Sequence, residues 1–147
     1  MDVKWYKNIL TLLIVAVNTY GQVGGLHITN VNLPSPLAVG EGGWLECDWA
    51  DDGDTIYALK WYLGLDEFYR WTPAETPPVK TFSMRGDPLT VDVDSSHKGR
   101  VRIQGVTLGA AGVFRCEVSA EAPSFHTESQ VSNMVVVGEE RRRFSGR

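Results

Sequence analysis

The chain has 147 residues, of which 43% are hydrophobic, and carries 14 Lys and Arg against 18 Asp and Glu. This length allows one ordinary domain, and the composition is that of a folding globular chain rather than a disordered one. The net charge of −4 becomes −7 over residues 22–137, where eight basic residues face fifteen acidic ones. This balance argues against a nucleic-acid partner, because phosphate contacts need a basic face.

The first 21 residues have the pattern of a secretory signal peptide. Two lysines precede a nine-residue apolar run, and the small residues Thr19 and Gly21 stand just before a cleavage point at Gln22. The apolar run is too short for a membrane span, which takes about 20 residues. We therefore predict a signal peptide over 1–21 and a secreted, extracellular product without a membrane span.

After the signal peptide, apolar and polar residues alternate in short runs separated by Gly, Pro, Asp and Ser, which is typical of antiparallel strands. The clearest runs are, in chain order, 42–49, 58–63, 101–108, 113–118 and 130–137. Alternation turns one set of side chains inward, and the predicted core comprises Leu45, Cys47, Trp61, Phe114, Cys116 and Val118. It turns another set outward: Trp44, Lys60, Tyr62, Arg115 and Glu117.

The spacing of two cysteines and a tryptophan indicates one particular β-sandwich fold. Cys47 and Cys116 are the only cysteines, and secretion favours their pairing. Trp61 lies 14 residues after the first and 55 before the second. A tryptophan on a disulfide between two sheets is the hallmark of the immunoglobulin fold, and the long second interval leaves room for the extra variable-type strands. We predict an all-β, immunoglobulin-like (variable-type) antiparallel β-sandwich with one inter-sheet disulfide over 22–138, followed by a charged tail over 139–147.

Two positions depart from the variable-type pattern. Phe114 stands where a tyrosine usually bonds back to the chain at the E–F corner. Ala110 stands where an aspartate usually pairs with an arginine. We therefore expect packing and the geometry of Gly112 to hold this corner, and we expect Arg100 and Arg102 to be freer than in a typical domain.

Three stretches have a sequence more specific than the general immunoglobulin pattern. They are Leu59-Lys-Trp-Tyr62 with Glu67-Phe-Tyr-Arg-Trp-Thr-Pro73, then Pro77-Pro-Val-Lys-Thr-Phe82, and Arg115-Cys-Glu-Val-Ser-Ala-Glu-Ala-Pro-Ser-Phe-His-Thr127. Together they resemble the first immunoglobulin domain of the Beaten path (Beat) family of arthropods, over about residues 26–137. The resemblance implies a secreted or membrane-anchored recognition protein of developing neurons. Its expected partner is an immunoglobulin-superfamily receptor of the Sidestep type, bound in axon guidance or neuronal cell-cell recognition.

The resemblance leaves one alternative open. Beat proteins usually carry a second immunoglobulin domain, often followed by a tail or an anchor, and this sequence contains neither. The sequence is therefore either a truncated form of a longer protein or a one-domain soluble product. A soluble immune-type or decoy immunoglobulin module is the alternative function.

The predicted partner-binding residues lie on the sheet formed by strands C, C′, F and G, which often presents the binding face of a variable-type domain. Tyr, Trp and Arg carry most of the energy of protein interfaces, and this region is rich in them. The predicted residues are Lys60, Tyr62, Glu67, Phe68, Tyr69, Arg70, Trp71, Arg115, Glu117 and, in the F–G loop, Phe125. Because alternation turns about half of a strand inward, we expect two of the three aromatics at 68, 69 and 71 to serve packing. An ordinary solvated sheet face is the competing interpretation.

No arrangement of residues points to catalysis. The three histidines are scattered, and no nucleophile stands in a motif with a base and an orienting group. The carboxylates at 51, 52 and 54 lack the calcium-binding EF-hand pattern and fit a solvated turn. We therefore predict a protein that is not an enzyme and that needs no metal and no cofactor.

Overall fold

The computed structural model describes residues 25–138. The predicted signal peptide over 1–21 and the predicted charged tail over 139–147 lie outside the described residues. Within 25–138, eleven strands and one short 3-10 helix follow one another along the chain. The strands are β1 (His27–Asn32), β2 (Leu37–Ala38), β3 (Gly43–Ala50), β4 (Ile56–Leu63), β5 (Asp66–Trp71), β6 (Val79–Thr81), β7 (Thr90–His97), β8 (Arg100–Gln104), β9 (Gly112–Ala120), β10 (Thr127–Met134) and β11 (Val136–Val137), with the 3-10 helix at Leu108–Ala110.

The long strands form two sheets. One has four strands in the order β1-β3-β8-β7, and the other has five in the order β10-β9-β4-β5-β6. Neighbouring strands in both sheets are antiparallel, while the short strands β2 and β11 form a separate parallel pair. A disulfide between Cys47 on β3 and Cys116 on β9 joins the two sheets, with 6.4 Å between the Cα atoms. The predicted antiparallel β-sandwich with one inter-sheet disulfide is confirmed.

The core is made of apolar side chains from both sheets. Leu45, Trp61, Phe114 and Val118 are completely buried. Trp61 lies opposite Cys116 on the neighbouring strand, which places the indole beside the disulfide. Its Nε1–H donates a hydrogen bond of 3.2 Å to the carbonyl oxygen of Gly99, in the turn between β7 and β8. The one polar atom of the indole is therefore satisfied in the interior.

Packing holds the corner between β8 and β9, where the usual tyrosine is absent. Phe114 meets Phe68 edge to face, with 5.9 Å between the ring centroids. Ala110, in the 3-10 helix, is fully buried, and Gly112 begins β9 with a φ of +138°. That backbone angle lies in a region that side chains with a Cβ rarely adopt, so glycine suits the position.

A β-bulge in β5 affects whether three of the predicted partner-binding residues point inward or outward. Tyr69 lies opposite Trp61 while Glu67 lies opposite Tyr62, so Phe68 is an extra residue in β5. The bulge turns Phe68 and Tyr69 inward together, and Trp71 follows by alternation. All three are at most 7% exposed. Alternation predicts that two of these three aromatics point inward, and the extra residue brings in the third. Phe68, Tyr69 and Trp71 were therefore wrongly predicted to bind a partner.

These inward aromatics connect the two sheets. The Tyr69 hydroxyl donates a hydrogen bond of 2.9 Å to the carbonyl oxygen of Lys98, in the β7–β8 turn. Burial raises the pKa of this phenol above its usual range. Trp71 lies between Trp49 and His97, at 6.0 and 6.1 Å between ring centroids. Strand β5 therefore stabilises the opposite sheet as well as its own.

Candidate binding face

The remaining predicted residues on strands meet on one surface, the outward side of the five-stranded sheet. We call this surface the outer face and define it by Lys60, Tyr62, Glu67, Arg70, Arg115 and Glu117. Strand register arranges these residues in two rows. Lys60 lies between Glu117 and Arg70, and Tyr62 lies between Arg115 and Glu67. Residues directly opposite on antiparallel strands have Cβ atoms about 5 Å apart, so each row is a line of direct neighbours.

Glu117 is the centre of the first group of contacts. Its carboxylate accepts a hydrogen bond of 2.9 Å from Nη1 of Arg115 and one of 3.4 Å from the hydroxyl of Tyr62. Nζ of Lys60 lies 3.8 Å from the same carboxylate. One acidic side chain therefore holds three neighbours on two strands.

Glu67 and Arg70 form the second group. Nε and Nη2 of Arg70 donate to the two carboxylate oxygens of Glu67, at 2.6 and 2.9 Å. Residues three apart on a regular strand point to opposite sides of the sheet. The bulge at Phe68 resets this alternation and brings Glu67 and Arg70 to the same side. The bidentate bond raises the pKa of the Arg70 guanidinium, which is charged at any ordinary pH.

Tyr62 lies in the middle of the outer face and is covered by a cation. The guanidinium carbon of Arg115 lies 4.1 Å from the centre of the Tyr62 ring, and that of Arg70 lies 5.3 Å from the ring of Phe82. Burial, followed by the negative charges of Glu117 and Glu67, raises the pKa of Tyr62. The phenol therefore stays protonated at neutral pH and can donate to Glu117.

The charged side chains of the outer face are held in place although the face is open to solvent. Their exposed fractions run from 17% for Glu117 to 33% for Arg70. A charged side chain that points freely into water is more exposed than this. The sheet, the bulge and the pairs together give the face one defined arrangement.

Phe125 lies apart from the outer face. It is in the loop between β9 and β10, is 72% exposed and has a φ of +48°, which is uncommon for an aromatic residue. Its backbone N–H donates to the carbonyl of Glu121 at 3.1 Å, which closes the loop. The pair Ser119 and Thr127 separates this loop from the row that contains Glu117. The structure therefore brings six of the ten predicted residues together and leaves Phe125 at the end of the sheet.

Apolar residues near the outer face were not predicted from the sequence. Val131 lies opposite Arg115, and Val113 precedes Arg115 by two residues on the same strand. They are 59% and 47% exposed. Their alternation with Phe114 and with neighbouring polar residues was a usable signal. Leu65, almost fully exposed in the β4–β5 turn, had no such signal, because turn residues follow no alternation.

The opposite sheet carries a second ordered surface. The guanidinium carbons of Arg100 and Arg102 lie 4.4 and 5.5 Å from the centre of the Trp44 ring, and Nε of Arg100 lies 3.5 Å from Glu46. Both arginines therefore contact Trp44, while the side chain of Arg100 stays 62% exposed. A groove of about 590 Å³ lies beside them and is lined in part by Trp49.

Among residues 25–138, the side chains of His, Cys, Asp and Glu form no group of three or more that could hold a metal ion. Nowhere in that part of the chain is there a helix with the length and the apolar content needed to cross a membrane.

The architecture is similar to that of several solved structures. Murine CEACAM1b matches with a TM-score of 0.52 and 19% identity over 78% of this chain and 53% of that chain, so this chain spans about half of its length. Dpr1 IG1 bound to DIP-eta IG1 matches with a TM-score of 0.51 and 16% identity over 80% of this chain and 100% of that chain. The V domain of amphioxus IgVJ-C2 matches with a TM-score of 0.52 and 13% identity over 69% and 97%.

No model of a protein family and no curated protein matches the sequence. Identities this low show the fold alone. The sheet order, the inter-sheet disulfide and the buried Trp61 agree with that fold. In its lettering, β4, β5, β9 and β10 are strands C, C′, F and G. The described part of the chain is therefore an immunoglobulin-like domain of the variable type.

Proposed function

We propose that this domain is an extracellular recognition module that binds an immunoglobulin-type surface protein through the outer face. The observation that carries the proposal is the network centred on Tyr62, in which five charged side chains are paired before any partner arrives. A pre-ordered face loses less side-chain entropy on binding than a mobile one. Tyr and Arg, which dominate its centre, are the residue types most often found at binding hot spots.

The limited exposure of these charges favours a binding face over an ordinary solvated sheet face. Isolated surface ion pairs contribute little to stability, whereas a bidentate pair and a network of charges, as on this face, can hold one geometry. The network provides a fixed pattern of donors and acceptors around an aromatic ring. Such a pattern supports selective recognition, because a partner without the matching groups leaves desolvated polar groups unpaired.

The finer proposal is a Sidestep-type receptor, bound in axon guidance or neuronal cell-cell recognition. It rests on the resemblance of three sequence stretches to the Beat family. The similar structure of Dpr1 IG1 bound to DIP-eta IG1 supports the proposal of a complex between two domains of this kind. Secretion after removal of the signal peptide would bring the domain into contact with such receptors.

A binding screen tests this proposal. The full chain is expressed in a secretory cell line with a multimerising tag at its C-terminus, because avidity makes weak single-domain contacts detectable. It is presented to the secreted and surface immunoglobulin proteins of the organism, including Sidestep-type receptors. We expect one specific partner or a few related ones.

Two double variants locate the binding face. The first, Tyr62→Ser with Arg115→Ser, should weaken partner binding by about tenfold or more, as expected for hot-spot residues. The matched control, Trp44→Ser with Arg100→Ser, removes a similar stacked pair from the opposite sheet and should leave binding unchanged. Circular dichroism must show both variants folded. If the first variant binds normally, or if the folded protein binds nothing in the panel, the proposal is wrong, and the latter result would favour a soluble decoy role.

A further inference from the structure

The outer face is the basic part of an acidic domain. Residues 25–138 carry eight basic and fifteen acidic side chains, a net charge of −7 with neutral histidines. Lys80 lies opposite Arg70 on the edge strand β6 and extends the outer face at that side. Half of the basic residues but only two of the acidic ones therefore point outward from this sheet: Lys60, Arg70, Lys80 and Arg115, with Glu67 and Glu117. Lys80 also pairs with Glu75 in the loop before β6.

The hydrogen bonds within the face leave donors in excess. Both carboxylate oxygens of Glu67 and both of Glu117 accept hydrogen bonds from neighbours on the same face. Of the five N–H donors of each guanidinium, Arg70 uses two and Arg115 uses one in the hydrogen bonds found within residues 25–138. The Lys60 ammonium, 3.8 Å from Glu117, is beyond hydrogen-bond distance. The face therefore has more N–H donors than acceptor sites, and each of its carboxylate oxygens already accepts one hydrogen bond.

We infer that the outer face binds a protein surface rich in Asp and Glu, and that it does so heterophilically rather than with a second copy of this chain. The inference rests on the proposed function and specifies the chemistry of the partner. Carboxylates supply the acceptors that the spare guanidinium and ammonium donors need, in short, strong charge-assisted bonds. The exposed Val131 beside Arg115 places an apolar contact next to these charges.

Charge argues against a second copy as the occupant. Two outer faces brought together would oppose excess positive charge to excess positive charge, with the carboxylates already engaged within each copy. Juxtaposed like charges at an interface cost binding energy and suppress the wrong partner. The other acidic residues are outside the outer face, although Asp66 and Glu128 lie on strands of the same sheet. This charge distribution also orients an acidic partner toward the outer face during encounter.

A pair of small probes tests the inference without a partner. The anionic nitroxide carboxy-PROXYL and the cationic nitroxide aminomethyl-PROXYL are added in turn to the ¹⁵N-labelled protein, and the enhanced relaxation of each amide proton is measured. For amides of β4 and β9, the anionic probe should enhance relaxation at least about twofold more than the cationic probe does, because the local potential enriches counter-ions. Elsewhere on the acidic domain, the anionic probe should enhance relaxation less than the cationic probe does.

Two variants of equal net charge control this measurement. Lys60→Gln with Arg115→Gln should remove the preference of the outer face for the anionic probe. Arg100→Gln with Arg102→Gln, on the opposite sheet, should leave that preference intact. The preference should also disappear in about 0.5 M salt, where the screening length is only a few ångströms. An outer face that attracts the cationic probe, or a dimer formed through this face in sedimentation equilibrium, would overturn the inference.

The two proposals fail in different ways. A panel without any immunoglobulin partner overturns the proposed function but not the anionic preference seen with the nitroxides. When a partner is found, its association rate should fall about tenfold or more between 0.05 and 0.5 M salt, because electrostatic steering is screened. A partner that binds the outer face with a rate insensitive to salt would overturn the inference and leave the proposed function standing.

Discussion

The Tyr69 hydroxyl makes a structural contact inside the domain, although the sequence suggested that Tyr69 binds a partner. Its ring is buried, and its hydroxyl donates to the carbonyl of Lys98 across the sandwich. In many variable-type domains a tyrosine near strand F bonds back to the chain, whereas here that position is Phe114. Tyr69 supplies a different long-range bond, between β5 and the β7–β8 turn.

The substitution Tyr69→Phe removes this bond and keeps the ring. We expect the free energy of unfolding to fall by about 1 kcal/mol, the usual net contribution of a hydrogen bond, with partner binding unchanged. Urea denaturation, monitored by tryptophan fluorescence, measures the free energy of unfolding, and the binding assay measures partner binding. Tyr57→Phe, at a residue that is 52% exposed, is the control and should have almost no effect. Loss of binding by a folded Tyr69→Phe protein would contradict this structural role.

His27 gives a pH-dependent prediction at the same scale. Its pKa is raised above 6.5, first by a hydrogen bond to the carbonyl of Gly25 and then by the charge and hydrogen bond of Asp52, 3.1 Å away. A raised pKa means that the folded state binds the proton more tightly than the unfolded state. The stabilisation is therefore complete below the unfolded pKa and is lost as the pH rises through the folded pKa. NMR titration of the His27 ring should give a midpoint above 6.5, and Asp52→Asn should lower it. An unshifted midpoint would exclude the pairing.

Strand β5 shows what alternation along the sequence can and cannot predict. From Leu59 onward in β4, and along β9, the inward and outward residues follow the period of two, and the structure places Lys60, Trp61 and Phe114 as the pattern predicts. In β5 the extra residue Phe68 shifts the phase. A bulge depends on how two strands pair, which local alternation does not contain. Three of the five predicted aromatic residues, Phe68, Tyr69 and Trp71, therefore lie in the core.

Phe68 should therefore behave as a core residue. Phe68→Ala removes a fully buried ring that packs edge to face on Phe114, and such truncations cost about 3–5 kcal/mol of stability. Phe82→Ala is the matched control, since Phe82 follows the adjacent strand and is 41% exposed. We expect it to cost about 1 kcal/mol or less, as surface substitutions usually do. Urea midpoints measure both, and equal losses would contradict the inward position of the bulge.

The contacts on the four-stranded sheet could not be predicted from the sequence either. The absence of an aspartate at Ala110 concerned only one possible partner of the arginines, and it gave no sign that Trp44, on a different strand, stacks with both Arg100 and Arg102. The register between β3 and β8, which sets Trp44 opposite Arg102, decides this contact. The sequence shows which side chains point outward, and the pairing of strands decides which of them meet.

The disulfide acts on the whole molecule, because its cysteines are 69 positions apart. In the chain-entropy model, closing a loop of this length stabilises the folded state by about 4 kcal/mol. That is a large share of the 5–15 kcal/mol typical of a folded domain. Cys47→Ala with Cys116→Ala should therefore lower the urea midpoint strongly or leave the domain unfolded at 37 °C. An unchanged midpoint would mean that packing around Trp61 suffices without the cross-link.

The course of the last two strands has a practical consequence for any surface to which the domain is attached. Gly25 lies at the β9–β10 loop, where an added Cβ would be 3.1 Å from His126, whereas Gly138 follows β11 beside β2. At roughly 3.3 Å per extended residue, the strands from 127 to 137 span about 35 Å. A sensor chip or bead placed at Gly138 would therefore be at the end of the domain opposite to Phe125, with the outer face along the side. A support placed at Gly25 would lie at the same end as Phe125.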